Sequence, residues 1–306
     1  MPLTEFTLIY RYFSALGRGE GVHLSVGDDC AILGLKPGER LATSVDTMVE
    51  GVHFPADTFP EDIGFRAGSV AARVLAAMGA RPLAMTLALT LPAVDELWLH
   101  AFSQGIADAA AQYRLPLVGG DTTRGPLTIT VQVLGALPPA QALLRGGAGP
   151  GDELYVSGTL GDAAAALAFL SGDWRPSPEE AEHLLDRLNR PRARIELGRE
   201  LLGKATAAID ISDGLLAYAG HIAAASGIRL DIDPLLLPLS PVLRAHPSPE
   251  QARLWALTGG DDYELCFCLP PGEAAPSGCT RIGRAVAGDG VDCGLDIDVA
   301  AGYRHF

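Results

Sequence analysis

Val118-Gly119-Gly120-Asp121-Thr122-Thr123-Arg124-Gly125 closes a short apolar run, Leu115 to Val118, that reads as a strand. Two glycines after it let the backbone turn sharply and come close to a ligand. Asp121, two hydroxyls and a guanidinium follow. A carboxylate oxygen suits a hard cation, and backbone N–H groups, hydroxyls and Arg suit phosphate oxygens. One such turn is an ordinary acidic loop. The grammar recurs at Gly27-Asp28-Asp29, at Ser44-Val45-Asp46-Thr47 and at Asp210-Ile211-Ser212-Asp213-Gly214, each an apolar run ending in Asp beside Gly, Ser or Thr. The recurrence implies that carboxylates far apart in sequence meet in one crevice and hold divalent cations against phosphates.

Charge makes that reading physically necessary for any phosphate ligand. The net charge is −14, which argues against nucleic acid or an anionic membrane as partner. An acidic chain that binds phosphates must import positive charge, and clustered Asp with divalent cations supplies it. The two lysines, Lys36 and Lys204, sit in no GxxxxGK[ST] loop, so a P-loop is excluded. Apolar residues make up 48% and charged residues 20%, enough for a folded core. No apolar run approaches the roughly 18 residues of a membrane span. The opening Met1-Pro2-Leu3-Thr4-Glu5 lacks a basic stretch before an apolar one, so no secretory signal is expected. Five cysteines (30, 266, 268, 279 and 293) with no CxxC spacing fit reduced thiols and a cytoplasmic setting.

Working outward, helical spacing of Phe6, Ile9, Tyr10, Phe13 and Leu16 predicts a helix over 5–16. Strands are predicted at 22–26 and 41–46, a helix at 60–80, a strand at 83–91 and a helix at 95–113. Alternating Thr with Val or Ile makes 127–137 a strand. The Pro and Gly cluster from Pro138 to Gly151 marks a boundary between domains 1–138 and 149–306. After it, strand 153–157 runs into Gly158-Thr159-Leu160-Gly161-Asp162, where Asp162 is expected to cap the next helix. Strand 207–211 runs into Ser212-Asp213-Gly214, and Gly259-Gly260-Asp261-Asp262 precedes another strand. The fold class is α/β (α+β) in two domains.

These motifs, in this order, resemble the thiamine-monophosphate kinases, in the superfamily of aminoimidazole ribonucleotide synthetase, selenophosphate synthetase and the hydrogenase-maturation dehydratase. The residues that carry the resemblance include Gly27-Asp28-Asp29-Cys30-Ala31, Asp46-Thr47-Met48-Val49-Glu50-Gly51-Val52-His53-Phe54 and Ala76-Ala77-Met78-Gly79-Ala80. They continue through Gly119 to Gly125, Ile209 to Leu215, Gly259 to Leu265 and the tail Gly302-Tyr303-Arg304-His305-Phe306. The resemblance implies an N-terminal domain that forms a homodimer through its sheet, a C-terminal α/β domain, and ATP with several Mg²⁺ in a cleft between them. It implies Asp29, Asp46, Asp121, Asp210 and Asp213 as metal ligands. Tyr113, Gly120, Asp121, Arg145 and Ser212 are implied at the nucleotide, and His53 and Asp261 at thiamine monophosphate. The implied reaction is direct in-line transfer from ATP to a phosphate acceptor, with no covalent nucleophile or general base. A nucleotide-binding relative with weakened turnover, or a superfamily enzyme with another acceptor, is the alternative.

The chain departs from the family pattern at four places. Arg73 and Val74 stand where the family usually carries Ser-Asp, and Tyr218 stands at a usual Asp. Asp261 replaces a usual Glu, and Ala300 stands near the place of a usual aromatic.

Overall fold

The computed structural model describes residues 4–297. Ala300 and the tail motif Gly302 to Phe306 lie outside the described residues. The chain divides into two compact units, residues 1–75 with 80–140, and residues 76–79 with 141–306. No helix among the described residues is long and apolar enough to cross a membrane.

The first unit begins with α1 (Glu5–Tyr12), which stops short of the predicted helix end and passes into a single 3₁₀ turn, Ser14–Leu16. Strands β1 (Val22–Leu24) and β2 (Ile32–Leu33) form a small antiparallel pair. Then come β3 (Arg40–Val49), α2 (Pro60–Met78), β4 (Arg81–Leu91), α3 (Glu96–Tyr113), β5 (Leu117–Arg124) and β6 (Thr128–Leu137). The main sheet has the order β3-β6-β4-β5, antiparallel except for the parallel pair β4 and β5. Val131, Leu87, Leu89 and Ile129 point to its buried face. Helices α2 and α3 touch backbone to backbone. A Cβ on Gly105 would lie 1.9 Å from the Glu61 carbonyl, so glycine is what permits that contact. Leu75 of α2 then reaches Gly135 of β6 and ties the helix to the sheet. The other face of the sheet is more open, with Leu41 and Val45 of β3 51% and 57% exposed.

The second unit comprises β7 (Glu153–Ser157), α4 (Asp162–Leu170), α5 (Pro178–Asn189), α6 (Ile195–Leu201), β8 (Ala207–Asp210), α7 (Leu215–Ser226), β9 (Arg229–Ile232), α8 (Pro241–Arg244), α9 (Pro249–Thr258), β10 (Leu265–Leu269), β11 (Cys279–Val286) and β12 (Gly290–Asp292). Its six strands run β12-β9-β11-β7-β10-β8, antiparallel except for β12 with β9. Strand β10 is buried along its whole length, which is why it reads as the continuous run Leu265-Cys266-Phe267-Cys268-Leu269 without alternation. One apolar cluster joins β7, β8 and β10 to α7 through Leu154, Ile209, Cys266, Leu215 and Ile222.

Candidate active site

The stretch from Gly119 to Arg124 is not a loop. It is the body of β5, paired in parallel with β4 from Met85↔Leu117 to Leu91↔Arg124. The register slips by one residue beside Val118, and such a bulge re-aims the side chains that follow. Gly120 serves strand packing rather than a turn, since a Cβ there would lie 1.9 Å from the Leu87 carbonyl. Asp121 is thereby presented from an edge strand as an exposed carboxylate.

Asp121 shares a cavity of about 670 Å³ with Gly120, Thr122, Asp28, Asp29 and Cys30. Phe6, Ile9, Tyr10 and Phe13 of the first helical segment form its apolar wall, with Phe6 81% and Tyr10 76% exposed. The two neighbouring aspartates differ. Asp28 Oδ1 accepts the Asp29 N–H at 2.8 Å, a local turn bond that holds Asp28 to the backbone.

Asp46 does not join this group, against the expectation of a single crevice. The register places it in one row with Val131, Leu87 and Gly120, the buried face of the sheet. Asp121 lies in the next row with Ala88, Thr130 and Thr47, on the opposite face. The two carboxylates also occupy opposite edge strands, three strand spacings or roughly 14 Å apart. Arg73 of α2 reaches Asp46 instead, its Nη2 3.3 Å from Oδ1.

Tyr113 is also placed otherwise than expected. It is 5% exposed, its hydroxyl 2.9 Å from Ser69 Oγ and its ring tilted against Phe65, so it is a core residue beneath α2. His53 is half-buried in the bend after β3. Its Nδ1 accepts the Val49 N–H at 3.0 Å, which leaves the ring proton on Nε2 as a donor.

In the second unit two motifs meet. Asp210 ends β8 and is 5% exposed. The loop Gly259 to Glu264 folds onto the turn after it. Asp261 N–H donates to the Ser212 carbonyl at 2.7 Å, Tyr263 N–H to that of Ile211 at 2.9 Å, and Ile211 N–H returns to Glu264 at 2.8 Å. Asp261 and Tyr263 both adopt positive φ, 67° and 53°, and the Tyr263 hydroxyl bonds the Asp261 carboxylate. Left-handed backbone at non-glycine residues carries strain, which the ladder of bonds holds in place. Asp213 accepts from Ser212 Oγ at 2.9 Å and from the Tyr218 hydroxyl at 2.8 Å, and Tyr218 also bonds Ser212 Oγ. Burial, and next to it the bond from Ser212, which opposes, and that to Asp213, leave the Tyr218 phenol pushed up to about 12. Arg145 is exposed in the segment that opens this unit, followed by Gly147, whose N–H donates to Ser226 Oγ.

Behind these motifs lies an ionic network that sequence reasoning missed. Asp162 is not a helix cap. Gly161 holds that position, and Asp162 is 0% exposed, bonded by Ser240 Oγ at 2.5 Å and Thr159 Oγ1 at 2.9 Å with Arg187 Nε at 3.4 Å. Glu264 is equally buried and takes a two-pronged grip from Arg194, at 2.6 and 2.5 Å. The buried Asp262 accepts the Gly161 N–H through Oδ2 at 2.7 Å, while Oδ1 finds no hydrogen-bond partner among the described residues. Burial above all, and then Asp162 and Glu264, push the Asp262 carboxyl well above the usual range, against the pull of Gly161 and Arg187. A carboxyl that stays protonated in the fold and ionises near pH about 3.9 when unfolded loses stability as pH rises above that value, up to its folded pKa. Asp262→Asn keeps an acceptor for Gly161 and removes the titration. Its melting temperature should therefore fall less than that of the wild type as pH rises above about 4. Parallel pH dependence would show that Asp262 is ionised in the fold.

Among the described residues no three His, Cys, Asp or Glu side chains converge as a ready-made cation cage. The structure thus pairs Asp29 with Asp121 in the first unit and Asp210, Ser212, Asp213 and Asp261 in the second.

Residues 27–137 match the N-terminal domain, and residues 149–295 the C-terminal domain, of the AIR synthase related proteins. The chain is 48% identical over 272 residues to thiamine-monophosphate kinase of Escherichia coli K12, covering 88% of this chain and 84% of that one. The crystal structure of thiamine-monophosphate kinase from Stenotrophomonas maltophilia K279a superposes with a TM-score of 0.85 at 43% identity, over 90% of this chain and 92% of that one. A structure described as AaThiL complexed with AMPPCP and TMP superposes with a TM-score of 0.82 at 33% identity, covering 89% of each chain.

Proposed function

This chain belongs to the AIR synthase related family and, within it, to the thiamine-monophosphate kinases, and from that premise we propose that it transfers the γ-phosphoryl group of ATP to thiamine monophosphate, giving thiamine diphosphate and ADP. The observation that carries the reading is one cavity lined both by the carboxylates of Asp29 and Asp121 and by the aromatic rings of Phe6, Tyr10 and Phe13. That mixed lining suits a nucleotide, which brings flat rings for Phe6 and Tyr10 and phosphates for the carboxylates and their cation. A relative at 33% identity, complexed with AMPPCP and TMP, supports the same pair of substrates.

The donor set is all oxygen, which fits a hard divalent ion such as Mg²⁺. Asp29 and Asp121 would hold it in the first unit, and Asp210 and Asp213 in the second. When bound, Mg²⁺ neutralises phosphate charge and aligns the transfer. The acceptor is a phosphate monoester, already largely dianionic near neutral pH, so no side chain has to deprotonate it. One of its oxygens attacks the γ-phosphorus in line as the bond to the β-phosphate oxygen breaks. His53 offers Nε2–H to a phosphate oxygen of thiamine monophosphate, and Asp261 meets the same substrate from its strained loop. Arg145 donates to the phosphates of ATP, the turn at Ser212 meets them through its backbone, and Gly120 keeps β5 close enough to β4 to aim Asp121. The open sheet face with Leu41 and Val45 is the surface through which two copies would pair as a homodimer. The five free thiols fit a cytoplasmic enzyme.

Weakened turnover is the second reading, favoured by one observation, the engagement of Asp46 by Arg73. Coupled ADP release separates the two. With Mg²⁺ and ATP, thiamine monophosphate is expected to release ADP in step with thiamine diphosphate, and thiamine is expected to release none. ATP binding without ADP release would establish the second reading instead, and turnover on thiamine would overturn the acceptor assignment.

A further inference from the structure

Two carboxylates that the family resemblance assigned to cations, Asp46 and Asp213, are already held by donors of the chain itself, and one donor to each comes from a helix. In the first unit the Arg73 guanidinium, from α2, lies 3.3 Å from Asp46 Oδ1, with side chains only 12% and 25% exposed. In the second unit the Tyr218 hydroxyl, from α7, lies 2.8 Å from Asp213 Oδ2 and bonds Ser212 Oγ, which in turn bonds the same oxygen at 2.9 Å. The Tyr218 ring is fixed by an edge contact with His221, centroids 5.4 Å apart, so the hydroxyl is not a passing neighbour. A cation that used Asp213 Oδ2 would have to take it from two hydroxyl donors. A cation beside Asp46 would also sit against the positive charge of Arg73, a repulsion that a half-buried site screens poorly.

We propose that Arg73 and Tyr218 are positioning residues that reserve Asp46 and Asp213, so that this chain binds divalent cations more weakly at these two carboxylates than their charge alone would give. Arg73 supplies at Asp46 the positive charge that an ion would bring, without dissociating. Tyr218 orients Asp213 and keeps Ser212 turned toward its own turn. The inference rests on the cation-dependent reading above. Its specific content is competition: a resident donor must be displaced before an ion can use the oxygen. A hydrogen bond to a charged group is strong enough to shift that equilibrium about tenfold or more.

The test counts bound Mn²⁺ from the loss of its free electron-spin-resonance signal, with and without AMPPCP, for the full chain. Tyr218→Phe removes one hydroxyl and keeps the ring, and Arg73→Met removes the charge and keeps the stem. Each is expected to tighten Mn²⁺ about tenfold or to add a bound ion. Arg73→Lys, which keeps the charge, should stay close to the wild type. Should Arg73→Met be less stable, its melting temperature should rise with Mn²⁺ far more than that of the wild type, since an ion that binds the folded state stabilises it. A wild type that holds Mn²⁺ with AMPPCP, beside variants that bind no more tightly, would overturn the inference and leave the kinase reading standing. A wild type that holds no Mn²⁺ even with AMPPCP, beside variants that gain it, would uphold the inference and establish the weakened-turnover reading in place of an active kinase. No Mn²⁺ in any of them would overturn both.

Discussion

Glu264→Ala should cost about 3–5 kcal/mol of stability, the loss expected when one member of a buried ion pair is removed. The side chain is 0% exposed and collects Arg194 at 2.6 and 2.5 Å, Ser157 Oγ at 2.5 Å and Arg187 Nη2 at 3.3 Å. Alanine would leave two guanidinium groups without that acceptor. Arg187 cannot reach water easily, its side chain being 14% exposed, whereas Arg194 at 31% can turn outward in part, which pulls the cost toward the lower end. The consequence extends beyond stability, because Glu264 anchors the loop that carries Asp261. Its carbonyl accepts from Ile211, and the positive φ values at Asp261 and Tyr263 persist only while both ends of the loop are held. Urea unfolding should show a lower midpoint with an unchanged slope, and Glu264→Gln, which keeps the shape and loses the charge, should fall between. An unchanged midpoint for Glu264→Ala would mean that the arginines find other acceptors and that the network does not hold this loop.

Part of this architecture is legible in the sequence because it is local. The alternation of Thr with Val and Ile from 127 to 137 reads directly as β6, and the predicted helix over 95–113 is α3, with Asp95 as its cap through bonds to Leu97 and Trp98. What the sequence hides is pairing. Gly119-Gly120-Asp121 has the composition of a turn, yet it is a strand because β4 lies alongside, and the need for glycine at 120 comes from the Leu87 carbonyl, thirty-three positions away. Asp46 reads as a strand end, but β3 continues to Val49, so the face on which its side chain falls is decided by register with β6. A one-residue difference separates a carboxylate offered to a ligand from one turned toward α2. Asp162 follows a glycine at a helix start and so reads as a cap. Its partner Ser240 is 78 positions away, and no local pattern announces it. Asp121 can be proposed as a site residue from sequence because an exposed carboxylate beside glycines needs no distant partner to be noticed. Arg73 and Tyr218 were visible only as departures from a family pattern, and their bonds to Asp46 and Asp213 are tertiary facts.

Asp121→Asn should lower kcat/KM by about 100-fold or more while leaving the fold intact. The substitution keeps the shape of the side chain and removes a charge and a strong cation ligand. Asp121 is exposed on an edge strand, so stability should stay within about 0.5 kcal/mol of the wild type. The loss should depend on the cation. ATP affinity measured by titration calorimetry should fall in Mg²⁺ and be almost unchanged in a chelator, as the proposed action of the carboxylate through a bound ion requires. Raising Mg²⁺ should recover part of the rate, since a weakened site refills at higher concentration, whereas a residue that touched only the acceptor would respond to thiamine monophosphate instead. Asp29, in the lining of the same cavity, should give the same cation-dependent pattern when changed to Asn, because the two carboxylates line one space. Equal ATP affinity for Asp121→Asn and the wild type in Mg²⁺ would remove the cation from this cavity. The aromatic wall would then remain as the feature still pointing to a nucleotide there.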